Sequence, residues 1–483
     1  MTVEQVIRAI ALTVVAGLCG LASALVHAQA PRPNIVYIVA DDQGFADVGF
    51  RGSSIRTPNI DQLAQGGARF EQFYAYPFCT QARAALLTGR YTHRYGLQTV
   101  VILSNGKYGL ATDEWILPQA LKGAGYTTAM VGKWHLGHAD RKYWPLQRGF
   151  DLQYGPLLGE IDYFTHSAHG TRDWFRQERP LKEKGYVTEL LGREAVRIVE
   201  RHDKSKPLFM YLAFTAPHAP YQAPQAYLDR YRDVADPSRR AYAAMISAMD
   251  DQIGAVIKAL ERRGMRDNTL IVYQSDNGGP VSAQFTGEVD MSKATIPASN
   301  APYRDGKGML YEGGTRVVAL ANWPGHIPAG TVVDQPMQIV DMYPTLAAVA
   351  GASTAKTKPL DGMNMWATIA EGKPSPRDVV VYAIEPFRAA VRKGDWKLVW
   401  RASLPSSVEL FNLAQDPAEK NNLAGTNAAK VAELQQLAEA QAREAVPPLF
   451  LLEAMGVVKQ VQMGAVALPL DTKGEMKALE MEP

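Results

Sequence analysis

The sequence predicts an α/β fold: a large mixed, mostly parallel sheet sandwiched by helices, with a smaller C-terminal subdomain of antiparallel sheet plus helix. Three observations carry this expectation. Apolar, β-branched runs of strand length alternate with helix-period segments over most of the chain. Polar residues cluster just after the carboxyl ends of those runs, the edge where open α/β sheets bind ligands. After about Pro374 the texture changes to short strands separated by turns.

Taken in order, the N-terminus reads as a secretory signal. Arg8 precedes the apolar run "AIALTVVAGLCGLASALV", followed by the small-residue patterns "VHA" and "AQA". Cleavage is expected after Ala28, because Pro31 would follow Ala30. The mature protein is then periplasmic or secreted, with no stable membrane anchor. Cys19 leaves with the signal, and Cys79 is the one cysteine of the mature chain, so no intrachain disulfide forms.

"NIVYIVADDQG" (34–44) suits a strand buried on both faces. "TPNIDQLAQGG" predicts a helix capped by Thr57, opened by Pro58 and stopped by Gly66 and Gly67. Helices are further expected over 117–122, 187–202 and 239–263. Strands are expected over 127–131 and in "PLFMYLAFTAPHAPY" and "NTLIVYQSDNGG". "DVVVYAI", "FRAAVRK", "WKLVW" and "VELFNL" form the small antiparallel sheet, and 428–445 an Ala/Glu/Gln-rich helix. The tail after Pro447 has apolar patches without a clear period. The division expected is 1–28 signal, 31–373 catalytic domain, 374–446 subdomain and 447–483 tail. A formal net charge of +2, with no basic stripe, gives no reason to expect nucleic acid as a partner.

Four polar clusters follow predicted strands: Asp41-Asp42, Lys133 with His135, His218, and Asp276-Asn277. Three carboxylates and an amide oxygen are hard donors that suit Ca²⁺ or Mg²⁺ and not zinc. Lys133, His135, His218, Arg83 and Lys307 would make an anion site beside such a metal. Cys79 precedes the helical run "QARAALLTG", and residues four apart share a helix face, so Arg83 can lie alongside its side chain. A helix N-terminus favours an anion, and an unmodified thiolate is one option for a nucleophile there. The segment 162–174, "DYFTHSAHGTRDW", is rich in histidine and aromatic residues and is a candidate wall for a leaving-group pocket, or a plain surface loop.

"PNIVYIVADDQGFADVG", "FCTQARAALLTGRY", "AGYTTAMVGKWHLG", "FTAPHAPY", "YQSDNGG", "GKGMLYEGGTRV" and "ELFNLAQDPAEKNNLA" occur in this order. With these pieces, from about Pro33 to about Leu423, the chain resembles the type I sulfatases, in the alkaline-phosphatase-like superfamily. "GRYTHRYGLQ" and "QRGFDLQYGPLLGEIDYFTH" look most like the arylsulfatase B, or N-acetylgalactosamine-4-sulfatase, branch. The resemblance implies a sulfuric-ester hydrolase that uses Ca²⁺, in preference to Mg²⁺, and a formylglycine (3-oxoalanine) made from Cys79 by a maturation enzyme. In such enzymes the aldehyde hydrates, one hydroxyl attacks sulfur and displaces the alcohol, and the other loses a proton as sulfate is expelled. Carried over by motif, Asp41, Asp42, Asp276 and Asn277 hold the metal, with residue 79 as a fifth ligand. Arg83 and His135 orient the nucleophile. Lys133, His218 and Lys307 bind sulfate, and His218 or Lys307 protonates the leaving alcohol. The implied substrate is a sulfated small molecule or glycan.

One position departs from the family pattern. Gln81 stands where the modification motif usually carries Pro, with Ala an accepted variant, and Ala82 stands where Ser follows. The maturation enzyme reads this stretch unfolded, so the departure bears on conversion of Cys79. Two other readings stay open at this point: a phosphodiesterase or phosphonate monoester hydrolase on the same scaffold, and a non-catalytic sulfated-glycan-binding protein with unmodified Cys79.

Overall fold

The structure is a computed structural model that describes residue 2, residues 32–285 and residues 294–462, the side chains of the last helix as far as 457. The expected signal segment and most of the tail lie outside the described residues.

Ten strands form the main sheet, in the order 331–333, 68–70, 319–322, 269–275, 34–40, 208–213, 127–132, 152–155, 175–176 and 179–180. The central five run parallel, from Thr269–Ser275 across Asn34–Ala40, Leu208–Ala213 and Thr127–Gly132 to Leu152–Gly155. Antiparallel strands join at both edges, Ala319–Asn322 on one side and Phe175–Arg176 on the other. The sheet is therefore mixed and mostly parallel. Every residue of Asn34–Ala40, Leu208–Ala213 and Thr269–Ser275 is buried. That explains why these strands read as continuous apolar runs without alternation.

Helices cover both faces. On one, Val187–Arg201 and Pro237–Arg262 pack with Met245, Met249, Ile253 and Leu260 turned into the core. On the other, Cys79–Thr88 and Met342–Val349 lie against Tyr37, Phe209 and Tyr211. One local expectation is corrected. Thr57 precedes the helix Pro58–Gln65 but its side chain does not cap it. Its hydroxyl instead accepts from the Gly49 amide at 2.7 Å and donates to Asp61 at 3.0 Å. The free amides of Asn59 and Ile60 go to the Asp250 carboxylate, at 3.2 and 2.8 Å, from a helix almost two hundred residues away.

The C-terminal sheet is four antiparallel strands in sequence order, Val379–Ile384, Arg388–Lys393, Trp396–Arg401 and Ser407–Asn412. The helix Ala428–Ala442 lies on it, with Leu434 fully buried. The tail contains a helix that the sequence pattern did not mark, Leu449–Gln462. It is tied to the body through the Leu449 amide, which donates to Gly96 O at 2.9 Å, and through Glu453, which accepts from the Lys107 amide at 2.8 Å. Among the described residues, no helix is long and apolar enough to cross a membrane.

Candidate active site

The site begins with strand ends. Asn34–Ala40 and Thr269–Ser275 are neighbours in register, with Ala40 opposite Ser275. Asp41-Asp42 and Asp276-Asn277 therefore leave the sheet side by side. The next strands deliver Lys133, His135 and His218 to the same edge. Gly132 allows the turn that does this. Its φ is +113°, and a Cβ there would meet Ala213 O at 1.8 Å. Two site residues that are not glycine also hold left-handed backbone, Asp42 at +66° and His135 at +58°. Such conformations persist where surrounding structure imposes them, often at functional sites.

The helix Cys79–Thr88 runs into this edge with all ten of its residues buried. Cys79 begins the helix rather than preceding it. Cys79 Sγ lies 3.5 Å from Asp41 Oδ1, and Arg83, one turn on, reaches Asp41 Oδ2 at 3.6 Å. Arg83 also forks onto Asp276 at 2.8 and 3.1 Å and donates to Lys133 O at 2.9 Å. Lys133 Nζ pairs with Asp41, Lys307 Nζ lies 2.7 Å from Asp42, and His218 Nε2 lies 3.6 Å from the same Asp42 oxygen. The ten residues singled out by sequence thus converge on one place. Cys79, His135, His218 and Lys307 line a cavity of about 640 Å³, and the remaining six lie beneath it.

Three carboxylates buried together need positive charge, and Arg83, Lys133 and Lys307 supply it. Burial opposes the Asp42 carboxylate, but Lys307, His218 and Lys133 outweigh it and hold its pKa at about 2. For Asp276 the balance goes the other way. Burial and the charge of Asp41 push it up to about 6, against Arg83 and Lys133. Burial also pushes the Cys79 thiol well above the usual range, and Lys133 and Lys307 do not compensate. The protein groups alone therefore disfavour a thiolate at residue 79. The unmodified thiolate, one of the options open from sequence, is the weaker one.

Among the ten site residues, two buried side-chain atoms have no hydrogen-bond partner among the described residues. Asn277 gives its amide hydrogens to Asp42 Oδ1 at 2.7 Å and Gly278 O at 2.9 Å, but its Oδ1 has none. His135 Nε2 faces Ile102 O at 3.1 Å, which leaves Nδ1 bare. A buried acceptor without a donor is costly. An oxygen in that state beside three carboxylates fits a hard divalent cation. Ligand atoms of Asp41, Asp42, Cys79 and His218 also lie within 4.8 Å of one another.

The cavity has walls that sequence reading did not assign. Val101, Ile102, Leu103, Ser104 and Asn105 form one side. Gln81 helps to hold that loop. Its side chain is fully buried and donates to Gln98 O at 2.6 Å and Thr99 O at 2.9 Å. Thr80 Oγ1 accepts from the Ile102 amide at 3.1 Å. The 162–174 segment divides. His166 turns inward and stacks on Trp174 at 4.9 Å, whereas His169, at the tip of a short hairpin, lines the cavity and pairs with Glu160 at 3.1 Å. Its histidine-rich composition was the signal; which histidine faces the cavity was not in it.

Comparisons with known proteins match the chain to one family. The sulfatase family profile matches residues 33–352. The profile of the C-terminal region of N-sulphoglucosamine sulphohydrolase matches 303–444. Arylsulfatase J of Mus musculus is 38% identical over 390 residues, which span 78% of this chain and 63% of that protein. N-acetylgalactosamine-6-sulfatase of Homo sapiens is 34% identical over 384 residues, 75% of this chain and 70% of that protein. The solved structure of Ps i-CgsB in complex with k-i-k-neocarrahexaose superposes with a TM-score of 0.78 at 35% identity, covering 86% of this chain and 94% of that one. A phosphonate monoester hydrolase of Agrobacterium radiobacter, at 22% identity and a TM-score of 0.60, shares the fold alone. The two-part α/β architecture is alkaline-phosphatase-like, and the chain belongs to the sulfatase family.

Proposed function

We propose that the protein hydrolyses the sulfate monoester of a saccharide, with residue 79 as the nucleophile's source and a calcium ion beneath it. The observation that supports this most is the buried group around Cys79. Three carboxylates and an unpartnered amide oxygen gather there, with Lys133, Lys307 and His218 against two of those carboxylates. Asp41, Asp42, Asp276 and the Asn277 oxygen would hold the ion, which when bound polarises a sulfate oxygen and lowers the pKa of a neighbouring hydroxyl. Formylglycine made from Cys79 would provide that hydroxyl, which the buried thiol does not.

The chain's own groups have separable tasks. Lys133 and Lys307 carry positive charge to the cavity floor, where a tetrahedral sulfate needs several oxygens neutralised at once. With Arg83 they equal the three carboxylates in number. A divalent ion then leaves the site two charges positive, which matches a departing sulfate dianion. Arg83 is occupied by Asp276, Asp41 and Lys133 O, so it positions carboxylates and the helix start. His135 presents the bare Nδ1 as a proton acceptor near residue 79. His218 Nδ1 is taken by Ala219 O at 2.6 Å, so its Nε2 is the atom facing Asp42 and the cavity. Lys307 is held protonated by Asp42 against burial, which keeps its positive charge available to the sulfate oxygens, and His218 or Lys307 would protonate the leaving alcohol.

A saccharide is favoured as the alcohol because the relatives include N-acetylgalactosamine-6-sulfatases, and a neighbour at 35% identity was solved with a neocarrahexaose. We further propose export to the periplasm or medium and dependence on a formylglycine-generating enzyme. The deciding experiment pairs turnover of para-nitrophenyl sulfate with mass spectrometry of the tryptic peptide Phe70–Arg83 from protein made in its native host. Aldehyde at residue 79 in active protein is expected. A stoichiometric thiol in active protein would refute the reading, and preference for a phosphodiester over the sulfate would move it to the phosphoryl branch.

A further inference from the structure

A second cavity, of about 370 Å³, adjoins the first. Phe78, Gln284 and Phe285 line both, and Phe78 and Phe285 meet edge to face with ring centroids 6.1 Å apart. The far wall comes from two elements outside the catalytic sheet. One is the turn Glu385-Pro386-Phe387-Arg388 between the first two strands of the C-terminal sheet. The other is the start of the tail helix, through Phe450 and Leu451.

Both elements are fixed in place. Arg388 forks onto the Glu385 carboxylate with two bonds of 2.9 Å and donates to Gly308 O, next to Lys307. The Leu449 amide donates to Gly96 O, so Phe450 starts from an anchored helix end. Yet Phe387, at the rim, remains 65% exposed. The surface is aromatic on its faces and polar along one edge.

We propose that this cleft is a saccharide subsite, which takes the sugar ring next to the one that bears the scissile sulfate. The proposal rests on the sulfatase reading of the first cavity and goes beyond it by making the substrate an oligosaccharide. A sugar ring has an apolar C–H face and a hydroxyl rim, and the cleft offers both surfaces it needs. Phe78, Phe387 and Phe450 provide rings to stack on. Glu385 and Arg388 provide hydrogen-bonding atoms at the edge. A purely apolar occupant would dehydrate that charged pair without return. Phe78, Gln284 and Phe285 border both cavities, so linked rings that pass over these residues would reach from one to the other.

The test uses the full mature protein carrying formylglycine. kcat/KM is measured for para-nitrophenyl sulfate, and for sulfated hexasaccharides of galactose and of N-acetylgalactosamine with their sulfated monosaccharides. The proteins are wild type, Phe387→Ala and Phe450→Ala. Calorimetry follows binding of the same hexasaccharides after desulfation. Wild type should prefer a hexasaccharide to its monosaccharide. Each variant should lose about tenfold in kcat/KM on that hexasaccharide, mainly through KM, the size of one stacking contact. The aryl sulfate should stay within about twofold, and binding of the desulfated chain should fall in step. The proposal is overturned if wild type shows no hexasaccharide preference, if both variants match wild type, or if the aryl sulfate falls equally. Failure of the sulfatase reading looks different: wild type turns over no ester at all. Binding of the desulfated chain then decides the cleft alone, and binding that is absent or unchanged in the variants overturns it.

Discussion

The active-site cluster and the cluster at the junction with the C-terminal sheet use the same residue types to opposite ends. At the junction Glu312 is fully buried. Lys397 and Tyr382 bind one of its oxygens, at 3.0 and 3.2 Å, and Tyr74 and Arg316 the other, at 2.9 and 3.4 Å. Lys397 also reaches Glu419 at 2.9 Å, and Arg392 donates to Tyr74 at 2.6 Å. This cluster pairs its charges with one another and ties Tyr74 and the helix Glu312–Thr315 to the C-terminal sheet. The active-site cluster leaves Asn277 Oδ1 and His135 Nδ1 without partners and opens to a cavity. A buried cluster whose charges pair within it is structural, whereas buried polar atoms left without partners beside a cavity point to something that is to be bound.

The largest expected effect separates chemistry from stability. Cys79→Ala should lower turnover of an aryl sulfate by at least about 10⁴-fold, since removal of a nucleophile leaves only binding and electrostatics. Circular dichroism and the melting temperature should stay near wild type. A variant that unfolds would make residue 79 a core residue first. Lys397→Met is the reverse experiment. It strands Glu312 and Glu419 in the interior and should cost about 3–5 kcal/mol in denaturant unfolding. The kcat of the folded fraction should be unchanged, and a large fall in it would mean that the junction takes part in the reaction.

Lys307→Ala comes next, with kcat/KM down by about 10²–10³-fold, the usual loss for a preorganised group facing developing charge. Calcium should then discriminate between the clusters thermodynamically. At about 100 times its Kd it should stabilise the native state by about 2.7 kcal/mol, read as a rise in melting temperature that a chelator reverses. Asn277→Ala should shrink that rise, and Lys397→Met should not.

The last contrast lies in the pH dependence of the junction. Burial, with Lys397 opposing, raises the Glu419 pKa from 4.5 to about 7. The folded state therefore prefers the protonated acid. That contribution to stability is complete below about 4.5 and is lost as pH rises through about 7. Glu419→Gln should flatten the pH dependence of unfolding over this window, and a slope equal to wild type would assign the titration elsewhere.

Much of this was legible in the chain because it is local. Buried parallel strands write themselves as apolar runs, and the aspartates that end Asn34–Ala40 and Thr269–Ser275 follow them directly. What stayed hidden depends on distant partners. Asp250 replaces Thr57 as the cap of Pro58–Gln65, since a helix end accepts any acceptor that the fold brings near. Gln81 read as a departure from a modification motif. Its folded role, to hold the Gln98–Thr99 backbone, needs a loop seventeen residues away to come back over the helix. The tail helix has no clean period, and its contacts with the body are made by residues near its start, from Leu449 to Glu453.

The sequence by itself singled out the groups to which we assign the chemistry: the carboxylates, the lysines, the histidines and Cys79 at a helix start. Their order along the chain also determined the sheet edge to which they belong, because strand and side-chain period are local properties. Only the tertiary structure decided which of them pair and which are left wanting. It sets Arg83 on Asp276, leaves the Asn277 oxygen bare, raises the Cys79 thiol by burial, and sets a turn of the second sheet and a tail helix against the mouth of the site. Those outcomes depend on distances between residues far apart in the chain, and on the dielectric they make together, neither of which a local pattern encodes.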